Sequence, residues 1–216
     1  MRALRFLAVA MLLFAAAPSF AFQVLGWDSG EVISVQFNGA SRSYLTTQFR
    51  ENVNGVLGVS FCTELSQTIS TGTFTNFTAY DPAAAEAQPF ADGPPERSFV
   101  RAAEIANRWA NSLESLVATL GVSNAQAITG VQSAIWEAVY GGAFTATSAS
   151  MTAGAWSVYQ HVLGQNYSGY GNTMLYHSPT RQDQLFTPPV PEPSAIVAFA
   201  AGAALVGRSL LRRKNA

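Results

Sequence analysis

The sequence predicts an α+β protein: an antiparallel β-sheet or sandwich with a helical subdomain, an N-terminal signal helix and a C-terminal transmembrane helix. Two patterns support this fold class. The first part of the body is rich in β-branched and aromatic residues separated by Asn and Gly, which is typical of antiparallel strands. Apolar residues at helical spacing follow from residue 99 onwards. The length of 216 residues, of which 49% are hydrophobic, suits one globular domain between the two terminal segments.

The N-terminal segment, residues 1–21, has the pattern of a secretory signal peptide. Arg2 and Arg5 precede an uncharged apolar run, and small residues close the segment at Ala21. This order is the one that signal peptidase recognises, so cleavage is predicted after Ala21. We therefore expect an exported protein whose mature chain begins near Phe22.

The exported domain is predicted to span residues 22–184 and to begin with strands. The strand-forming runs are 31–37, 43–49, 55–61 and 68–80. Residues 81–96 contain four prolines and many alanines, so a loop or lid is expected there.

Three helices are predicted in the second half of this domain. Apolar residues at helical spacing cover 99–113, and a second set follows a cap at Ser123 or Asn124 and ends at Gly141-Gly142. The third predicted helix covers 151–163.

Charge excludes one class of partner for the exported domain. Between residues 22 and 187 there are six arginines, no lysine and twelve acids, a net charge of −6. Nucleic-acid binding needs a basic surface, so no nucleic-acid partner is expected. The sequence also contains no His-Glu-x-x-His, paired Cys-x-x-Cys or acidic calcium loop, so His161 and His177 are interpreted as helix and loop polar groups. No metal or other cofactor is predicted.

The C-terminal part divides into three segments. Residues 185–194 are a proline-rich spacer, residues 195–211 form an apolar stretch roughly 26 Å long as a helix, and residues 212–216 are a basic tail. The basic cluster that stops the stretch in the membrane is predicted to stay cytoplasmic; it consists of Arg208, Arg212, Arg213 and Lys214.

A tetrapeptide before the apolar stretch makes this tail more specific. Val190-Pro191-Glu192-Pro193, followed by a short apolar span and a basic terminus, resembles the PEP-CTERM sorting signal of Gram-negative bacteria. The resemblance implies recognition by an exosortase, a membrane enzyme usually found in organisms that make extracellular polysaccharide. It further implies anchoring in the inner membrane before sorting, and then a cell-surface or extracellular location.

Cys62 is the only cysteine, so it cannot form an internal disulfide. One interpretation is a small apolar residue at the end of a strand, because free cysteines are commonly buried. The other rests on two sequence contexts, one from Phe61 to Glu64 and the other from Val131 to Glu137. We expect Glu64 and Glu137 themselves to be solvated surface acids.

These contexts resemble the thioester domains of bacterial surface adhesins, in which a strand cysteine and a Thr-Gln-x-Ala motif on a helix supply the bond. The resemblance implies a thioester between Cys62 and Gln132, supported by Phe61, Ala134 and Trp136. In this chain Val replaces the usual Thr before Gln132. Trp136, four residues after Gln132, is expected on the same helix face, where it either shields the bond from water or serves as an ordinary core residue.

The resulting functional hypothesis is covalent adhesion to an amine or hydroxyl partner, and the protein is not predicted to be an enzyme. The partner is expected to be an amine-bearing surface protein or an extracellular polysaccharide. The absence of Lys between residues 22 and 187 removes internal nucleophiles, although a genomic bias towards Arg also explains it. The alternative is a non-covalent structural or polysaccharide-binding matrix protein. A hydrolase is the weakest hypothesis, because no local spacing brings a nucleophile and a base together.

Overall fold

The computed structural model describes residues 21–88, 90 and 98–189. The chain is an α+β domain with one antiparallel β-sheet and several helices. The strands are β1 (Phe22–Phe37), β2 (Ala40–Val53), β3 (Val56–Cys62), β4 (Gly72–Phe74), β5 (Thr78–Tyr80), β6 (Phe144–Thr145), β7 (Met174–Ser178) and β8 (Arg181–Thr187). The helices are α1 (Pro82–Glu86), α2 (Phe99–Trp109), α3 (Leu113–Leu120), α4 (Asn124–Tyr140) and α5 (Ala153–Leu163).

Two Asn-Gly turns set the register of the first three strands. Asn38-Gly39 joins β1 to β2 and Asn54-Gly55 joins β2 to β3, and all four residues have positive φ. This is the conformation that two-residue hairpin turns require, and Asn and Gly adopt it most readily. The strands predicted over 31–37, 43–49 and 55–61 are confirmed within β1, β2 and β3, and two of them are much longer than predicted.

The sheet is strongly curled. Its strand order is β4-β1-β2-β3-β8-β7-β5, with β6 pairing β1 beside this path. Phe77, in the short link between β4 and β5, stacks on Phe22 of β1 at 4.3 Å between ring centroids, and Phe22 also contacts Tyr176 of β7 at 5.3 Å. Strands from opposite ends of the order therefore meet through an aromatic cluster.

Helix α4 is the centre of the helical layer. It contacts β1 and β2 of the sheet and also α2 and α5, and most of its side chains are buried. Ser123 caps its first turn in a capping box with Gln126, and Gly141 ends it, as predicted. A Cβ at Gly130 would lie 2.5 Å from Val158 Cβ, so only glycine allows α5 to pack this close to α4.

Several predicted boundaries are wrong. The helix predicted over 99–113 ends at Trp109, and Leu113 begins α3. Only Gly72–Phe74 and Thr78–Tyr80 of the predicted 68–80 run form strands, and α1 lies in the predicted loop of 81–96. The third helix begins at Ala153, with Thr152 as its cap.

The C-terminal hairpin was not predicted. Strand β7 contains His177, which was expected in a loop, and β8 contains Leu185 to Thr187, which were assigned to the spacer. Leu185 is completely buried, so these three residues belong to the sheet. Within the described part of the chain, no helix has both the length and the apolarity to cross a membrane. The predicted signal peptide before Ala21 and the predicted transmembrane helix of 195–211 lie outside that part.

Candidate functional site

Cys62 lies at the end of β3, in the middle of the sheet. Strand β3 pairs with β2 on one side and β8 on the other, and Cys62 itself is opposite Gln184 of β8. Its side chain is 3% exposed. A residue with ladder partners on a central strand has little freedom to move, so the backbone fixes the position of the thiol.

Gln132 occupies the middle of α4, eight residues after its first residue Asn124, and is completely buried. The neighbouring Val131 and Ser133 are also buried, because α4 is enclosed by the sheet on one side and by other helices elsewhere. The helix therefore delivers a carboxamide to a position that solvent does not reach.

The fold brings Cys62 and Gln132 into direct contact across 70 positions of sequence. The Cys62 thiol donates a hydrogen bond to Gln132 Oε1, with 3.4 Å between sulfur and oxygen. Gln132 Nε2 donates to the backbone carbonyl of Cys62 at 2.8 Å. The sulfur thus lies beside the amide group, and the amide nitrogen is held by a separate acceptor.

Burial controls the ionisation of this thiol. Loss of solvation is the main reason that the pKa of Cys62 is raised far above its ordinary value, and the carboxyl groups of Glu64 and Glu51 raise it further. The Trp136 side chain and the Cys62 backbone act in the opposite direction. The resting side chain is therefore a neutral thiol, and any reaction must remove its proton within the site.

Trp136 lies next to Cys62, and its indole N–H is a buried hydrogen-bond donor. It is 1% exposed and is close enough to Cys62 to stabilise the thiolate. Its Nε1, however, has no hydrogen-bond partner of standard geometry among the described residues. A buried N–H without a partner is uncommon and costs free energy, so this donor beside the Cys62 thiol is a feature that packing alone does not explain.

The other predicted supporting residues contribute packing. Phe61 and Ala134 are completely buried. Because successive strand residues point to opposite faces of a sheet, Phe61 projects away from the face that carries Cys62. The buried hydroxyl of Ser133 has no hydrogen-bond partner within the described part of the chain.

Glu64 is not the solvated surface acid that the sequence suggested. Its side chain is 8% exposed, and Oε2 accepts a hydrogen bond from the backbone N–H of Asp183 at 3.1 Å. Its carbonyl accepts from Gln182 Nε2 at 2.8 Å, which joins the segment after β3 to β8. Glu137, at the other motif, is half-buried, and this burial raises the pKa of its carboxyl group.

Two residues near the pair were missed from the sequence. Tyr140 lies eight residues after Gln132 on α4, and its hydroxyl accepts a hydrogen bond from the backbone N–H of Leu65 at 3.1 Å. Helical spacing gives a signal for Tyr140, since residues eight apart share a face. Glu51 of β2 is completely buried, and no local pattern distinguishes it from the exposed Arg50 beside it.

A cleft of about 430 Å³ has Trp136 in its lining, although neither Cys62 nor Gln132 lines it. We call it the Trp136 cleft. Its apolar wall residues include Trp27, Leu45, Phe49, Leu65, Ile69 and Trp136. Glu64 also lines it, and no Arg, Lys or His is among the described residues that do so.

The histidines form no metal site with other residues. In the described ranges, no group of three or more His, Cys, Asp or Glu side chains is placed to hold a metal ion. His177 Nδ1 instead lies 2.8 Å from Asp183 Oδ2, and its ring stacks on Phe90. His161 lies on α5, as predicted, with its ring 5.8 Å from that of Trp109.

The predicted sorting motif and basic cluster lie outside the described residues. These are Val190, Pro191, Glu192, Pro193, Arg208, Arg212, Arg213 and Lys214. Comparison of the chain with models of protein families, with curated proteins and with solved structures finds no match.

Proposed function

We propose that this chain is an exported bacterial surface protein that forms a thioester between Cys62 and Gln132 and uses it for covalent adhesion. The observation that supports the proposal best is the paired contact of the two side chains, 3.4 Å from sulfur to Oε1 and 2.8 Å from Nε2 to the Cys62 carbonyl. A carboxamide is a weak electrophile, so reaction requires this kind of fixed, close approach.

The reaction balances without any further reagent. The Cys62 sulfur bonds to the side-chain carbonyl carbon of Gln132, the bond from that carbon to nitrogen breaks, and the thiol proton leaves with the nitrogen as ammonia. The backbone carbonyl of Cys62 already holds this nitrogen. We assign the Trp136 N–H, which lies near the Cys62 sulfur and has no acceptor of standard geometry among the described residues, as the donor to the oxyanion that develops on Oε1.

Burial explains why the product survives. Cys62, Gln132 and Trp136 are all at most 3% exposed, so water has little access to the bond. A nucleophile that gains access, such as a primary amine or a hydroxyl group, is acylated by the Gln132 carbon, and the thiol of Cys62 is released. The body is accordingly an adhesion domain and not an enzyme, because each molecule reacts once.

Intact-mass measurement tests the thioester. The purified protein should be lighter than its sequence mass by one ammonia, and methylamine should add across the bond. Cys62→Ala and Gln132→Ala should each have the full sequence mass. A wild-type protein at full mass, with Cys62 alkylated only after unfolding, would refute the bond.

Sorting is the second part of the proposal. The resemblance at residues 190–193 supports recognition by an exosortase after export through the N-terminal signal, with transient anchoring by the apolar stretch of 195–211, for which a helix is predicted. Replacing Pro191-Glu192-Pro193 by alanines should leave export intact and stop sorting, as measured by immunoblots of membrane and medium fractions. Replacing Pro188-Pro189 by alanines is the matched control, and normal processing of both variants would contradict the assignment.

A non-covalent, polysaccharide-binding matrix protein is the alternative function. It is favoured by Trp27, a residue of the Trp136 cleft that is 43% exposed and offers an aromatic surface. In that case Cys62→Ala should attach to the cell surface and bind its polymer as well as wild type does. Covalent adhesion predicts that the same variant forms no adducts.

A further inference from the structure

We infer that the domain rests on a lipid surface through the end at which its β2–β3 hairpin lies. This end, which we call the tether end, consists of residues 21–25, 52–58 and 186–189. The inference rests on the proposed anchoring by residues 195–211. It adds which face the anchored domain turns towards the bilayer, and it names lipid as the partner of that face.

Both ends of the described domain meet at this hairpin. Asn54, in the hairpin turn, is bonded to Ala21 in both directions: its backbone N–H donates to the Ala21 carbonyl at 3.1 Å, and its Oδ1 accepts from the Ala21 N–H at 3.1 Å. Thr187, near the other end of the chain, is paired with Val59 of β3. A Cβ added at Gly58 would lie 2.7 Å from the Thr187 carbonyl oxygen, so the chain leaves β8 beside the hairpin.

The chain beyond the last strand is too short to hold this end far from the membrane. Pro189 is six residue steps before Ala195, where the predicted membrane stretch begins. Six extended steps reach at most roughly 22 Å, and the headgroup region takes up about 5 to 8 Å of that length. The tether end therefore stays within about 15 Å of the headgroups, and it meets lipid at a high effective concentration, so weak contacts suffice.

Apolar side chains are exposed at the tether end. Leu57 is 59% exposed, Val56 is 48% exposed, and Leu25, three residues after the first residue of β1, is 48% exposed. Singly exposed apolar side chains are ordinary on a protein surface, but these three lie where the chain enters and leaves the domain. Their transfer from water into the boundary between headgroups and acyl chains is favourable, as for apolar residues of interfacial anchors.

The tether end is uncharged in a domain that is strongly acidic. Its three segments contain no Asp, Glu, Lys or Arg, while residues 22–187 as a whole carry a net charge of −6. The nearest exposed charges along β1 and β2 are Asp28 and Arg50, which lie 3.8 Å from each other. Contact through this end therefore desolvates no charged side chain of the three segments, whereas anionic headgroups repel the acidic remainder of the domain.

Single nitroxide labels test this orientation. Leu57→Cys places a label at the tether end, and Leu45→Cys places the control on β2, at a residue that is 50% exposed and roughly 26 Å along the strand from Val53. Both are made in a Cys62→Ala background and expressed with the signal in a host that lacks an exosortase, so the exported chain keeps its tail. The chains are reconstituted into phosphatidylcholine vesicles, and power-saturation electron paramagnetic resonance measures collisions of each label with O₂ and with a water-soluble nickel chelate.

The two labels should differ. The label at Leu57→Cys should lose most of its collisions with the nickel chelate and keep those with O₂, because O₂ enters lipid and the chelate stays in water. The label at Leu45→Cys should remain open to both. Adding Val56→Asp beside the first label should restore the nickel collisions, since a charge resists transfer out of water. Val32→Asp, at a residue that is 66% exposed and opposite Leu45, should not restore them.

Flotation of the vesicles separates the possible failures. A chain that does not float with the vesicles refutes the proposed tail anchor, and the inference with it. A chain that floats but has equal nickel access at the two labels overturns the tether end and leaves the anchor standing. Protection of the Leu57→Cys label in native membranes but not in pure lipid overturns the assignment to lipid, because it requires a membrane protein as the partner.

Discussion

Two buried polar sites on the same sheet differ in how their groups are satisfied. At the Cys62–Gln132 pair, the amide oxygen has a donor and the amide nitrogen has an acceptor. At Glu51, neither carboxyl oxygen has a hydrogen-bond partner of standard geometry among the described residues, although the side chain is completely buried. At the first site the mutual hydrogen bonds offset the cost of desolvation, whereas at Glu51 the Ser60 hydroxyl offsets only a small part of that cost.

The two sites also respond differently to burial. Burial raises the pKa of Cys62 and keeps a group neutral that is already neutral at physiological pH. Burial raises the pKa of Glu51 to about 8, with a smaller opposing effect from the Ser60 hydroxyl, so here the group changes its charge state on folding. Burial therefore leaves the charge of Cys62 unchanged, whereas it makes the ionised form of Glu51 unfavourable in the folded protein.

Gln132→Glu should disrupt the hydrogen-bonded Cys62–Gln132 pair and have the largest effect on stability. A carboxyl oxygen would replace the amide N–H that the Cys62 carbonyl accepts, which leaves that carbonyl unpaired and buries an acid. We expect no thioester and a free energy of unfolding about 3 kcal/mol below that of Gln132→Met, which also lacks the thioester but adds no polar group. Both variants leave the Cys62 carbonyl without its donor, so the difference measured by chemical denaturation reports the buried acid, and equal stability of the two variants would contradict the burial of residue 132.

Glu51 should make stability depend on pH. Its pKa is raised on folding, so its contribution is fully present below about pH 4.5 and is lost as pH rises through about 8. In a Cys62→Ala background, which removes the proposed cross-link, stability should fall across that window by up to about 1.4 kcal/mol per pH unit.

Glu51→Gln should remove this dependence, and Glu114→Gln, at an exposed residue of α3, should keep it. Urea denaturation at several pH values between about 5 and 8 compares the three proteins. If the Glu51→Gln curve keeps the slope of its parent, the carboxyl group is ionised in the folded protein.

Trp136→Phe should have the smallest effect on the fold and a selective effect on the chemistry. The ring volume is largely kept, but the N–H beside the Cys62 sulfur is lost. We expect the reaction of methylamine with the thioester to slow by about a hundredfold, as for the loss of one donor to an oxyanion. Trp109→Phe is the control, because that indole donates to Tyr167 at 2.9 Å away from the pair; equal rates for both variants would exclude the donor.

The sequence predicted the strands that have local signals and not the strand whose burial depends on distant partners. Strands β1 to β3 were recognised from β-branched runs and Asn-Gly turns, which are local signals. Strand β8 has no comparable local signal, because its first four residues, Arg181 to Gln184, are polar and none is β-branched. Both Asp183 and Gln184 are buried, since Asp183 pairs with His177 and Gln184 accepts from Ser60 at 2.9 Å. Ser60 is distant in sequence from Gln184, and His177 meets Asp183 only across the hairpin of β7 and β8.

The contact of Cys62 with Gln132 was expected only from a resemblance, and the structure places the two side chains together. Local propensity could not have found it, because 70 residues separate them. The position of Trp136 was predictable from helical spacing, but its unpartnered N–H was not, since that depends on which acceptors the sheet leaves nearby. Glu51 was missed for the same reason, because its burial depends on the curl of the sheet.

The hydrogen bonding of β8 to β3 has a mechanical consequence. Strand β8 is the last described strand, and Val59 to Cys62 of β3 pair with Gln184 to Thr187 of β8. Tension applied to the chain beyond Thr187 therefore enters the domain at the strand adjacent to the thiol and loads several hydrogen bonds in shear at once. In the proposed adhesion the partner is bonded to Gln132, so such a load would pass from β8 through the sheet to α4, which packs on it.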